Sequence, residues 1–194
     1  LTAVDETLFI TMRLIDGVGF RQWVRGEGDP AAAARRLRAA LPQLVRGVDA
    51  LHRNGLLHLD LKPENVLVEP DGRVVILDFG LASAVGQEAG AVTKGLFGSV
   101  SYIAPEQART GSVGTDPRTD VYQLGLLLYE LITLERAFPG PNVPDVLERV
   151  KDGRFPAPRT LADVPRDVES LCLKAMAREP DARFDSVAEL RAAL

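Results

Sequence analysis

His58-Leu59-Asp60-Leu61-Lys62-Pro63-Glu64-Asn65 brings an acid, a lysine and an amide within a few residues of one another. Apolar runs flank it, Leu56-Leu57 before and Val66-Leu67-Val68 after. A charged centre between hydrophobic flanks describes a loop pinned between buried elements, with its polar groups turned into a cleft. That is the construction a catalytic loop needs, and the rest of the chain reads as its support.

Directly after the loop, Val66–Val68 and Val74–Leu77 flank Pro70-Asp71-Gly72, which predicts a β-hairpin with a tight turn. Before the loop, Asp29-Pro30 is a helix start, Asp as N-cap and Pro at the first helical position. That helix runs through the alanines towards His52 on an apolar stripe of Leu37, Leu41, Leu44, Val45, Val48 and Leu51, and Asn54-Gly55 ends it. Pro42 predicts a kink. Thr7–Ile15 reads as a buried strand broken by Asp16-Gly17, and Phe20–Val24 as a short helical turn.

Downstream, residues 81–103 carry glycines at 86, 90, 95 and 98 and little periodicity, as a long functional loop would. Thr119–Thr133 is apolar almost all round and predicts a buried helix. Asp145–Val150, Arg166–Ala177 and Ser186–Leu194 predict three more helices.

The 194 residues, 46% hydrophobic and 26% charged, suit one domain or a large subdomain with a core. A net charge of −4 argues against a nucleic-acid partner, and Arg35, Arg36, Arg38 and Arg46 read as a solvated helix face. Cys172 stands alone, so there is no internal disulfide and no cysteine metal site, and a reducing, cytoplasmic setting fits. His52 and His58 are the only histidines, which gives a zinc site little support. No apolar run reaches membrane-spanning length, and the start is not signal-like. An apolar strand so near residue 1 predicts that further sequence precedes it.

Asp60, Lys62 and Asn65 are followed in order by Asp78-Phe79-Gly80, Ala104-Pro105-Glu106, Asp120-Val121-Tyr122-Gln123-Leu124-Gly125 and Arg183. This ordered set, spread over nearly the whole chain, resembles the protein kinase family. A lone Asp-Phe-Gly would carry little weight, and for any single residue a solvent-facing turn is the plain alternative. The style of Phe9–Gly17, Leu51–Gly55 and Gly72–Asp78 is similar to bacterial serine/threonine kinases of the eukaryotic type.

The resemblance implies a fold that is α+β for the family and mainly α for this chain. It is a C-terminal lobe, a helical bundle around a buried central helix with a small β-hairpin. Residues 1–16 would form the last strand of the N-terminal lobe and the hinge. Residues 17–194 would form the C-terminal lobe, with the catalytic loop at 58–65, the metal-binding segment at 78–80 and the activation segment at 78–106.

The activity implied is transfer of the γ-phosphate of ATP to serine and threonine hydroxyls of proteins, with Mg2+ or Mn2+. Phosphoryl transfer rests on positioning and charge neutralisation. Asp60 would orient the substrate hydroxyl and accept its proton, and Lys62 would neutralise charge on the transferred group. Asn65 and Asp78 would offer oxygens to the metal, and Gly80 would let the backbone turn after them. Met12 would back the nucleotide pocket, and the backbone at Arg13 and Ile15 would bond the adenine. Phe20, Leu67, Leu127 and Leu131 would stack beneath it, a reading compatible with plain core packing.

Lys62 is the residue serine/threonine members carry, and Ser99, within Gly98–Ile103, would touch Asp60 and Lys62 unless it is an ordinary loop serine. Glu64 and Glu130 fall where family members that prefer basic substrates place carboxylates; solvated positions are the alternative, and Gly19 departs from that pattern. Glu106 and Arg183 resemble a buried ion pair. Asp120 would receive hydrogen bonds from the catalytic-loop backbone, or else serve as a helix N-cap. His58 and Phe79 would be packing residues, and His52 a satisfied structural histidine.

Two features depart from the family. Leu59 stands where most members have an arginine that reads a phosphate, so activity is expected not to depend strongly on phosphorylation of the long loop, where position marks Thr93 as the expected site. The glycine-rich loop, the strand lysine and its glutamate partner belong before the hinge strand, and the only lysines here are Lys62, Lys94, Lys151 and Lys174. The expectation is a C-terminal lobe lacking most of its N-terminal lobe, one part of a larger multidomain signalling protein, weak or inactive alone. Two other functions stand beside the kinase. One is a truncated or non-catalytic scaffold that binds partners. The other is phosphotransfer to a small molecule, against which the Ala104-Pro105-Glu106, Ser99 and Arg183 features argue.

Overall fold

Val121, Leu124, Leu126, Leu127, Leu128 and Leu131 leave the segment Pro117–Thr133 no face to turn to water, so the chain must bury it from all sides. The computed structural model describes residues 2–4, 7–9, 13–26, 28–78, 99–111 and 113–194. Along the chain the elements are β1 (Thr2–Val4), β2 (Thr7–Phe9), β3 (Val18–Gly19), α1 (Phe20–Arg25), α2 (Pro30–Arg53), β4 (Val66–Val68), β5 (Val74–Ile76), α3 (Pro105–Thr110), α4 (Pro117–Thr133), α5 (Val143–Asp152), α6 (Arg166–Ala175) and α7 (Val187–Ala192). Short 3-10 turns lie at Pro63–Asn65, Ser99–Tyr102, Pro158–Thr160 and Pro180–Ala182.

Helix α4 is the centre. Asp116 caps its start by accepting from Arg118 N at 2.8 Å, with Pro117 next. Leu44, Val45 and Val48 of α2, Cys172 and Ala175 of α6, and Val187 and Leu190 of α7 close around its leucines in one continuous core. At Gly125 a Cβ would lie 2.7 Å from Met176 Cγ and 3.0 Å from Ala175 Cβ, so only glycine lets α4 approach the end of α6 this closely. Burial pushes the Cys172 thiol up to about 12, which leaves it an inert core residue.

Among the described residues two antiparallel sheets complete the architecture. β1 pairs with β2, and β3-β4-β5 form a second sheet with Val18 opposite Val68 and Val66 opposite Ile76. Gln43 of α2 fastens this sheet to the helices: its Nε2 donates to Gly72 O at 3.0 Å, and its Oε1 accepts from Val74 N at 3.3 Å.

The helical C-terminal-lobe architecture, the hairpin and the buried central helix agree with the sequence reading. Boundaries moved for identifiable reasons. The central helix begins two residues before Thr119 because Asp116-Pro117 is itself a start signal. The strand expected over Thr7–Ile15 is confined, among described residues, to Thr7–Phe9. Residues 13–17 form no ladder: Arg13 is exposed and bonds Glu69 at 3.0 Å, and Leu14 is 92% exposed. Pro42 lies inside α2, which continues to Arg53. Arg36 is no idle surface cation. Its guanidinium caps α1 by donating to Val24 O at 2.9 Å and Arg25 O at 3.0 Å, and it packs where a side chain at Gly26 (φ 51) would sit.

Candidate active site

The loop at 58–65 has a backbone that its own residues cannot hold. Leu59 sits in the left-handed region at φ 63. For a leucine that costs about 1–3 kcal/mol unless the surroundings fix it. They do. Asp120, fully buried on the first turn of α4, accepts from His58 N at 2.9 Å through Oδ2 and from Leu59 N at 2.8 Å through Oδ1. Leu59 O accepts from Gln107 Nε2 at 2.9 Å and Gln123 Nε2 at 3.0 Å. Gln123 Oε1 in turn accepts from Leu61 N at 2.8 Å. The backbone before and after Asp60 is therefore clamped from α3 and α4. Of the two readings for Asp120, the loop clamp is the one the geometry holds, since Asp116 is the N-cap.

Two histidines complete the clamp. His52 meets Asp120 Oδ2 at 2.6 Å. His58 is fully buried, and desolvation holds its imidazole below the usual histidine range. Its Nε2 faces the carbonyl of Leu77 at 3.0 Å and its Nδ1 faces the amide of Asp60 at 3.4 Å. A carbonyl only accepts and an amide N–H only donates, so the neutral ring carries its proton on Nε2.

On this frame the polar residues converge. Lys62 Nζ donates to Asp60 Oδ2 at 2.5 Å. Asn65 Nδ2 donates to the same oxygen at 3.0 Å and to Asp60 O at 2.8 Å. Asp60 remains 38% exposed while Lys62 is 16% exposed and Asn65 buried. With its nitrogen spent on Asp60, Asn65 has its amide oxygen left for a cation. Leu77 N donates to Asn65 O at 2.8 Å, which ties the end of the hairpin to the loop. Asp78 follows, exposed and at φ 55. Among the described residues no group of three or more His, Cys, Asp or Glu side chains is placed to hold a metal.

The model of the protein kinase domain family matches residues 2–191. The chain belongs to the protein kinase family. It is 35% identical over 189 residues to serine/threonine-protein kinase PknB of Mycolicibacterium smegmatis, covering 96% of this chain and 30% of that protein. PknB of Mycobacterium tuberculosis is 34% identical over the same length and shares. PknL of Mycobacterium tuberculosis is 38% identical over 184 residues, 93% of this chain and 45% of that protein. The chain thus spans less than half the length of each of these relatives.

Several residues singled out in this kinase chain are placed by the fold. Glu106 and Arg183 form a buried bidentate pair, Nη1 to Oε1 at 2.8 Å and Nη2 to Oε2 at 2.7 Å. Arg183 also donates to Ala177 O, Arg118 O and Arg178 O and lies over the Tyr122 ring, so every guanidinium N–H is used. Burial alone would raise the Glu106 carboxyl, but Arg183 and the Thr119 hydroxyl hold it below its usual range. Ile15 and Leu67 are half-buried, Leu67 on β4 opposite Gly19, whereas Phe20, Leu127 and Leu131 are core. Met12, Phe79, Gly80 and Thr93 lie outside the described residues, as does the Ser99 side chain.

The two carboxylates expected to face substrate separate. Glu64 is exposed on the Pro63–Asn65 turn. Glu130 is 2% exposed; the Tyr102 hydroxyl donates to its Oε2, and Arg21 lies 3.1 Å from Oε1. Burial and Glu130 together push the Tyr102 hydroxyl up. Gln107 and Gln123 are the residues that sequence reasoning missed. An amide on a helix has no local signature, and their loop partner is 48 and 64 residues away.

Proposed function

We propose that this chain is the catalytic domain of a serine/threonine protein kinase, transferring the γ-phosphate of ATP to hydroxyls of protein substrates. The observation that carries this reading is the triangle at Asp60, whose carboxylate is held by Lys62 and Asn65 on a loop clamped by Asp120 and Gln123. Both bonds fall on Oδ2, which leaves Oδ1 to take the proton of an incoming hydroxyl. A positioned base of this kind contributes about 10²–10⁴ in rate. Lys62, beside it, offsets negative charge on the transferred group.

Asn65 and Asp78 offer an amide oxygen and a carboxylate, the hard donors that suit Mg2+ or Mn2+. Bound there, the ion would neutralise charge on the phosphates. In this reading the backbone at Arg13 and Ile15, with Met12 and Leu67, borders the adenine, residues 1–16 form the hinge and the last N-lobe strands, which are two (β1 and β2) where the sequence suggested one, and residues 17–194 form the C-lobe. Ser99 would contact Asp60 and Lys62 and position the substrate hydroxyl.

The much greater length of the relatives supports a domain within a larger signalling protein. No helix among the described residues is long and apolar enough to cross a membrane. ATP-dependent chemistry and a single buried cysteine fit a cytoplasmic setting.

The test uses the full-length protein with γ-labelled ATP, Mg2+ and paired peptides carrying serine, threonine or tyrosine. The expected result is label on serine and threonine and its loss in Asp78→Asn. Equal labelling by the variant, or label on tyrosine alone, overturns the proposal.

A further inference from the structure

Beside the Asp60 loop lies an open cleft of about 450 Å3, lined among others by Arg21, Gln22 and Arg25 of α1 and by Pro63 and Glu64 of the 3-10 turn. Pro63 directly follows Lys62, so a peptide in this cleft runs beside the reacting hydroxyl. A basic residue is what Glu64 and Glu130 would select if both carboxylates faced the peptide, but the packing prevents that. Glu130 is buried, one oxygen bonded by Tyr102 and the other, which accepts no hydrogen bond, covered by Arg21 at 3.1 Å, whose own side chain is 42% exposed. The surface offered above Glu130 is a guanidinium.

Arg25 adds a second cation one helical turn on, where like charges repel. Its Nη2 donates to Leu134 O at 3.0 Å. Its Nε is buried without a hydrogen-bond partner, and it forms no ion pair among the described residues. Burial first and the neighbouring Arg21 second lower its pKa, with Glu130 and Glu135 only partly opposing. Arg25 is therefore a cation without a close ion pair among the described residues, at the wall of an open cleft beside the catalytic loop. Among the described residues Glu64 is the one acid in that lining, and it sits exposed, where solvent screens it most.

We propose that this cleft selects an acidic residue, aspartate or glutamate, in the protein substrate, with Arg25 and Arg21 as the specificity-determining cations. The proposal rests on the kinase reading for the word substrate, but not for the binding itself.

The test measures binding of fluorescent serine peptides to the full-length protein, with Asp, Asn or Arg placed in turn at each position flanking the serine. At one position Asp should bind about fivefold more tightly than Arg, the upper end for one partly screened charge pair. That preference should fade as salt rises, since the groups are solvent-accessible. It should also shrink to within about twofold in Arg25→Gln. The salt titration needs no variant, so a misfolded Arg25→Gln does not blunt the test. Equal binding of all three peptides, tighter binding of the Arg peptide, or a preference indifferent to salt overturns the proposal. Phosphate transfer is read on the same peptides. Acidic preference in binding without any transfer removes the kinase reading and leaves the site; transfer without charge preference removes the site and leaves the kinase.

Discussion

Asp60–Lys62 and Glu106–Arg183 are both carboxylate–cation pairs, and the fold treats them in opposite ways. Glu106 and Arg183 are 8% and 3% exposed, bonded twice to each other, and every other N–H of the guanidinium ends on a backbone carbonyl. Asp60 is 38% exposed, and Lys62 and Asn65 both bond its Oδ2. The first pair has no capacity left for anything but holding α3 to the segment before α7. The second keeps an oxygen and an open side. A carboxylate meant to react must stay partly unsatisfied, and the cost of keeping it in place falls on neighbours such as Asp120 and Gln123.

The comparison predicts a gradient of stability effects. Arg183→Ala should be the most damaging, about 3–5 kcal/mol in denaturant unfolding, because Glu106 is left charged and buried. Lys62→Ala should cost under about 1 kcal/mol on the same scale, since its partner is more than a third exposed. Comparable losses for the two variants would break the distinction.

Gln123→Ala comes next. It strips Leu61 N of its acceptor and Leu59 O of one donor, and should cost about 1–3 kcal/mol. It should also lower transfer, because the strained Leu59 backbone loses a restraint. Full activity with lowered stability would show that Gln123 only packs.

Acid should have a smaller, graded effect. The folded-state values of His58 and Glu106 both lie below their ordinary 6.5 and 4.5. In each window the unfolded chain therefore binds more protons than the folded one, and stability falls as pH falls. The unfolding midpoint should begin to drop below about pH 6.5 through His58 and fall further below about 4.5 as Glu106 joins. A midpoint that rises between pH 7 and 5 would contradict the sign.

How much of this was legible depended on the range over which each signal acts. Asp29-Pro30, Asn54-Gly55 and Pro70-Asp71-Gly72 act locally, and each boundary was read correctly from them. The two-residue strand β3 is too short to show a period and has no turn of its own to announce it. Glu106, Arg183 and Asp120 were found only because the ordered motif set resembled a family. Glu130 lies in the helix that reads as buried all round and Glu64 in the loop, yet no local signal says what partners a carboxylate inside that helix. The partners of Glu130 are Tyr102 and Arg21, 28 and 109 residues away, which only the folded chain brings together.

The smallest stability change is expected where the change in chemistry is largest. Asp60→Asn in the full-length protein keeps the size and the acceptor of the side chain and removes its charge. Unfolding free energy and phosphate transfer should be measured side by side. Transfer is expected to fall by about 10²–10⁴ with stability within about 0.5 kcal/mol of wild type. Unchanged transfer, or a loss of stability approaching that of Arg183→Ala, would contradict the assignment of Asp60 as the group the fold holds in reserve.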